Sequence, residues 1–334
     1  MLSRDILNIT KTPLMDSGFI DYEYKEYEPQ NPNYNGTVPL KIIIPSNGLF
    51  YHPYEAFLHI EGSLVKAADG AAYADADAIS LINNGIMYLF DSISYRLSEV
   101  EIERVDNVGQ ATTMIGMLKY SNDFQLSEEL NQLWYKDSTT TADLTANAGF
   151  AVRQSYLIQK AAAGSKGSFS FCIPLKHIFG FCDDYDKVIF GIKHSITLVK
   201  KVTHNNAIFR DNAVAAGKVN FTKISLCMPI ITLSDVAKAE ILSEINKKVP
   251  VPVSFHSRTC ESLALPQTTS LSWKVSIKSN ETPRFVIVAL QTNKDEQQTK
   301  NPAIFDHCNL RNMQAIIDKK VYPLEAYQLS FPSQ

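Results

Sequence analysis

Along much of this chain apolar residues recur at every second position in runs of about four to eight, a period that fits a strand with one buried face and no helix. Leu271, Trp273, Val275 and Ile277 alternate with Ser272, Lys274, Ser276 and Lys278. Ile192, His194, Ile196 and Leu198 alternate with Lys193, Ser195 and Thr197, and Ile93, Tyr95 and Leu97 alternate with Ser94, Arg96 and Ser98. Strands of this kind need antiparallel neighbours and a second apolar layer to cover them. The expected fold class is therefore all-β, with sandwiches of jelly-roll or similar type in both halves, a few short helices and no βαβ rhythm.

At 334 residues there is room for one large domain or two moderate ones, and 45% apolar content fills real cores. A formal net charge of −3 provides no basic field to hold nucleic acid by counterion release, which argues against a genome-coating role. The N-terminal MLSRDILNITKTPLMDSGF carries Asp5 and Asp16 and no apolar stretch of signal-peptide length. No run approaches the ~18 apolar residues of a membrane span, so synthesis in the cytosol without secretion is expected. Cys172, Cys182, Cys227, Cys260 and Cys308, odd in number and without a CxxC pair, read as reduced, mostly packed thiols.

Residues 1–37 read as an acidic arm, with Arg4, Lys11 and Lys25 set against Asp5, Asp16, Asp21, Glu23, Glu26 and Glu28. A first sandwich is expected over 38–203. Within it Ile79, Ile82 and Ile86 suggest a helix, residues 93–105 a strand and its return, and the polar stretch 121–148 an exposed excursion loop. In IPLKHIFGFCDDYDKVIFGIKHSITLVKK, residues 173–201, two apolar stretches hinge at Cys182-Asp183-Asp184-Tyr185-Asp186 and read as two strands closing one unit. Residues 204–216 suit a linker, and 217–334 a second sandwich that opens with a strand at Val219–Met228 and a helix from Ser234 to Lys247. Leu271–Ile277 and Phe285–Leu290 would form a hairpin, and residues 309–316 with Lys320–Pro323 a strand and turn.

Chemistry-bearing patterns are few. Neither GxGxxG nor GxxxxGK[ST] is present. His52, His59, His177, His194, His204, His256 and His307 include no HxH pair of the kind a metal-bearing cupin uses, and His194, on the apolar face of its strand, reads as a core histidine. Asp306-His307-Cys308 has no second pair at zinc-site spacing, and Asp183, Asp184 and Asp186 lack the Gly and distal Glu of a calcium loop, so an acidic turn in solvent is expected. No catalytic, cofactor-binding or metal-binding residue is assigned, and the chain is not expected to be an enzyme.

Cys172–Phe181 (CIPLKHIFGF) followed by Val188–His194 (VIFGIKH) resembles the segment that ends the first roll of double jelly-roll major capsid proteins. That lineage spans the large nucleocytoplasmic DNA viruses and Polinton-like and adintovirus-like elements. The likeness continues through Gly217–Pro229, Pro283–Val288, Phe305–Asn312 and Val321–Pro323, and upstream through Asn83–Phe90 and Ile93–Leu97. Ser98-Glu99 stands where the family often turns on Asn-Gly. A second roll opening near Gly217 needs more strands than fit before Gln334, which suggests a truncated sequence.

The resemblance implies a structural protein of the virion whose first partner is itself, as a homotrimer of pseudo-hexagonal outline tiling an icosahedral shell. Penton or minor capsid proteins would be further partners, with no sequence-specific nucleic-acid binding and no cofactor. Contact with an internal membrane is permitted but not established by a weak amphipathic patch of Leu2, Ile6, Leu7 and Ile9. The alternative is a non-viral or domesticated jelly-roll binding module of lectin-like type.

Overall fold

The period-two pattern is realised as antiparallel ladders. The computed structural model describes residues 18–331 except 122, 128 and 276–281. Its strands, in chain order, are β1 (Phe19–Tyr27), β2 (Leu40–Ile44), β3 (Phe50–Tyr51), β4 (Phe57–Lys66), β5 (Ile79–Leu81), β6 (Phe90–Leu97), β7 (Val100–Asp106), β8 (Ser168–Pro174), β9 (Ile189–Phe190), β10 (His194–Lys200), β11 (Ile208–Arg210), β12 (Gly217–Leu233), β13 (Ala315–Ile317) and β14 (Lys320–Tyr322). The helices are α1 (Val108–Lys119), α2 (Phe124–Ser127), α3 (Ala148–Leu157), α4 (Leu175–Ile178), α5 (Gly180–Asp184) and α6 (Asp235–Asn246).

One sheet runs β8-β4-β12-β3-β9, and the other runs β2-β10-β6-β7. Cys227 of β12 is in register with both Glu26 and Phe57, so β1 and β4 flank β12 on opposite sides. Strand β4 illustrates how the core is filled: Leu58, Ile60 and Leu64 are fully buried while Phe57, His59 and Glu61 on the alternate face are half-buried. Phe171 and Ile173 of β8 and Ile224, Leu226 and Met228 of β12 join them, and Ile42 of β2, Ile196 and Leu198 of β10 and Ile93 of β6 come from the opposite sheet. Each such side chain contributes roughly 1.5–3 kcal/mol through burial.

Several expectations change. Gly217–Leu233, placed at the opening of a second sandwich, is an interior strand of the first, in register with β4 from Gly217↔Lys66 to Cys227↔Phe57. Alternation identifies a strand but carries no information about its partner. The expected linker 204–216 is likewise built in: β11 pairs β5, and Asn206, Ala207, Ile208 and Phe209 are buried. The helix suggested by Ile79, Ile82 and Ile86 is the short strand β5 followed by a 3-10 turn, Gly85–Leu89. All three isoleucines are buried, so their spacing marks core on every side rather than one helical face.

Much of the described part of 121–148 is exposed, as expected of an excursion, but the stretch is tied into the core at Gln132, Leu133, Trp134 and Asn147. Leu133 and Trp134 are buried, and the Trp134 ring packs where a Cβ on Gly116 of α1 would sit 2.5 Å from it. Asp137, paired with the fully buried Arg153 at 2.7 Å, accepts also from Asn147 and Asn301. In the hinge stretch the residues after Pro174 form two short helices, α4 and α5, instead of continuing as a strand.

The β6–β7 hairpin forms as expected and turns on Ser98 at φ 54°, the left-handed conformation that Asn or Gly would supply more cheaply. Helix α6 also forms, with the Ser234 hydroxyl accepting from the Ala237 N–H, although Val236 and Ile245 of its apolar stripe are exposed. Part of the expected arm is strand β1. Leu2, Ile6, Leu7 and Ile9 lie outside the described residues.

Beyond α6 the described residues carry the β13–β14 pair and an isolated bridge between Leu290 and Asp306. Leu271, Trp273, Val275 and Phe285–Ala289 form no ladder, and Ser276, Ile277, Lys278 and Asn280 fall outside the described residues. A half-buried strand needs a sheet beneath it, and here Trp273 and Phe285 stand 40% and 76% exposed.

Candidate functional site

The hinge Cys182–Asp186 is one place where the chain beyond α6 is fastened to the sandwich. Sequence suggested a solvated acidic turn; the structure gives each aspartate its own partner. Asp183 accepts from Lys119 Nζ at 2.6 and 2.5 Å and from Arg258 Nη2 at 2.8 Å. Asp184 accepts from the backbone N–H and Nδ1 of His256 at 2.7 and 2.6 Å. Asp186 meets His52 Nε2 at 2.7 Å. The three carboxylates diverge, and among the described residues no three His, Cys, Asp or Glu side chains converge as metal ligands.

Arg284 Nη1 lies 2.7 Å from His256 Nε2. A guanidinium only donates, so Nε2 accepts and the ring carries its proton on Nδ1, facing Asp184. Burial works against ionisation of Asp184, but the two hydrogen bonds from His256 together with nearby positive charge, that of Arg258 included, outweigh it and hold the carboxyl below its usual range.

Beneath this layer sits Glu103, 2% exposed. Its carboxylate accepts from the N–H groups of Gly180 at 3.1 Å, Phe181 at 2.8 Å and Arg258 at 2.8 Å. One side chain thereby satisfies the first two amides of α5 and pins the strap 255–258 across them. Burial raises its pKa, and the three amides and the Arg258 charge only partly offset this. Gly180 is required by the closeness of the strap: a Cβ there would lie 1.7 Å from the His256 carbonyl oxygen. Phe255 completes the contact edge-on to Phe181, with ring centroids 5.3 Å apart. The arrangement holds two stretches of chain in fixed relation and presents no nucleophile, since burial pushes the Cys182 thiol well above its ordinary pKa.

The other residues weighed from sequence are dispersed. His194 is fully buried in the core, its Nδ1 2.6 Å from the Tyr95 hydroxyl. Asp306 pairs with Lys294 at 2.7 Å, His307 stacks on Phe331, and Cys308 is exposed, so this triplet does not converge. Glu103, His256 and Arg258 had no sequence signal as a group, because Glu103 lies 155 positions from Arg258 along the chain. One local sign existed: Val100 and Ile102 share a parity that Val105 breaks, and the register indeed shifts there, turning Glu103 inward.

Among known proteins, the family model described as the double jelly roll-like domain matches residues 79–334. No curated protein matches the chain. Among solved structures, the Faustovirus major capsid protein is 11% identical, with 71% of this chain and 59% of that one covered and a TM-score of 0.42. The Sputnik virophage structure is 10% identical, with 75% and 53% covered and a TM-score of 0.46, and the mavirus major capsid protein 13% identical, with 68% and 49% covered and a TM-score of 0.38. The chain spans about half the length of these solved chains.

Proposed function

Because the chain belongs to the double jelly roll-like family, we propose that it is a structural subunit of a virus shell, a major capsid protein that acts as a homotrimer of pseudo-hexagonal outline. The family match over residues 79–334 carries this reading. The dense antiparallel sandwich suits it, since a shell subunit must keep its shape under load from neighbours. The second roll, expected over 217–334, belongs to the same proposal, with the chain after α6 held to the hinge through Glu103, Asp183 and Asp184. Self-assembly, a place in the virion and contacts with penton or minor capsid proteins follow as parts of the same proposal.

Size-exclusion chromatography with light scattering, followed by negative-stain microscopy, tests the proposal. Trimers or larger shell-like assemblies are expected. A stable monomer whose melting temperature rises with a small ligand would replace it with the binding-module reading.

A further inference from the structure

Strand β1 borders the six-stranded sheet, and among the described strands it pairs with β12 alone. Which of its backbone groups point outward follows from one hydrogen bond. The Pro229 carbonyl accepts from the His52 N–H at 3.2 Å, so Pro229 directs its backbone toward the β3–β4 side, away from β1. Its register partner Tyr24 therefore sits in a non-hydrogen-bonded pair with it. By alternation Tyr22, Tyr24 and Glu26 turn their N–H and C=O groups to the outer edge. Asp21 Oδ1, 2.9 Å from the Tyr22 N–H, caps one of these edge amides.

The side chains along this edge are self-complementary. When a second Phe19–Tyr27 strand is laid antiparallel about a twofold axis at Tyr24, Tyr24 faces Tyr24, and Glu23 of each copy faces Lys25 of the other. Tyr24 and Tyr22 are 50% and 40% exposed, and Glu23 and Lys25 are exposed as well. We propose that the outer edge of β1 is the site at which a second copy of this chain adds, strand to strand, across a twofold axis centred on Tyr24. This rests on the shell reading, which supplies a second copy of the chain as the neighbour, and it places a copy-to-copy contact on strand β1.

The test uses the full chain carrying Tyr24→Cys. Paired residues in an antiparallel ladder have Cα atoms about 5.5 Å or less apart, within disulfide reach. Mild oxidation is expected to give a linked dimer that the parent chain, with its own cysteines, does not give. In parallel, Lys25→Glu sets like charges opposite each other twice and is expected to weaken association between trimers by about tenfold, while Glu23→Lys with Lys25→Glu restores it. Trimers that neither cross-link nor respond to charge reversal would overturn the inference and leave the shell reading standing; this is the outcome if residues 1–17 or a different protein cover the edge. Cross-linked dimers without trimers would support the edge and remove the shell reading. If Tyr24→Cys does not fold, the charge pair decides.

Discussion

Burial disfavours the charge on Glu103 while three backbone N–H groups hold it in place. Glu103→Ala would orphan those amides in a dry site, where each unmet donor costs about 1–3 kcal/mol. A loss on the order of 3 kcal/mol in urea unfolding is expected, and an unchanged midpoint would show that water replaces the carboxylate. The buried histidines bear on acid stability with the opposite sign. Burial lowers His194 to about 4 and His177 to about 3 from an ordinary 6.5. Below 6.5 the unfolded chain takes up protons that the folded chain refuses, so stability is full above that pH and is lost as pH falls toward 4. Glu103 runs the other way: the folded chain holds its proton more tightly, and its contribution falls as pH rises past 4.5. His194→Gln is therefore expected to flatten the loss between pH 6.5 and 4 in thermal melts. A parallel downward displacement of the whole curve would place the acid sensitivity elsewhere.

Among the elements, the segment containing Trp134 departs most from its sequence reading. Its polar composition suggested solvent, yet Trp134 is fully buried against α1 and Arg153 is held by Asp137 and by the Leu81 carbonyl. Trp134→Ala is expected to cost about 3–5 kcal/mol, measured by chemical denaturation; a surface loop would give under about 0.5. The strands β6, β10 and β12 were legible because one face of each is apolar and the period survives in the residues. Their pairing was not, since β12 could as well have opened a new sheet on periodicity alone. Of the hinge, the aspartates were visible and their partners were not: Arg258 and His256 lie on a stretch with no local signature, and the inward turn of Glu103 depends on a register shift one residue long. Gly180 gave no hint either, because its need arises from a chain segment that crosses it from far downstream.

At the scale of the whole molecule, the described residues of 248–331 are anchored at a few points instead of being woven in. The strap at 255–258 is one, and Gln298, bonded to the Gly217 backbone, and Asn301 on Asp137 are others. Between the anchors Lys274 and Arg284 lie on exposed chain without a ladder. Limited trypsin digestion is expected to cut first at these two, leaving the sandwich through Leu233 intact by mass spectrometry, and early cuts within β4 or β10 would contradict this. Strand β12 gives the molecule a further property. At 17 residues it lies between β4 on one side and β1 on the other. Hydrogen bonds in an antiparallel pair run across the strands, so tension drawn along β1 strains them all together in shear instead of unzipping them one by one. A pull on the N-terminal strand is thus handed to β12 and spread through the core, which makes this strand a tether able to bear mechanical stress.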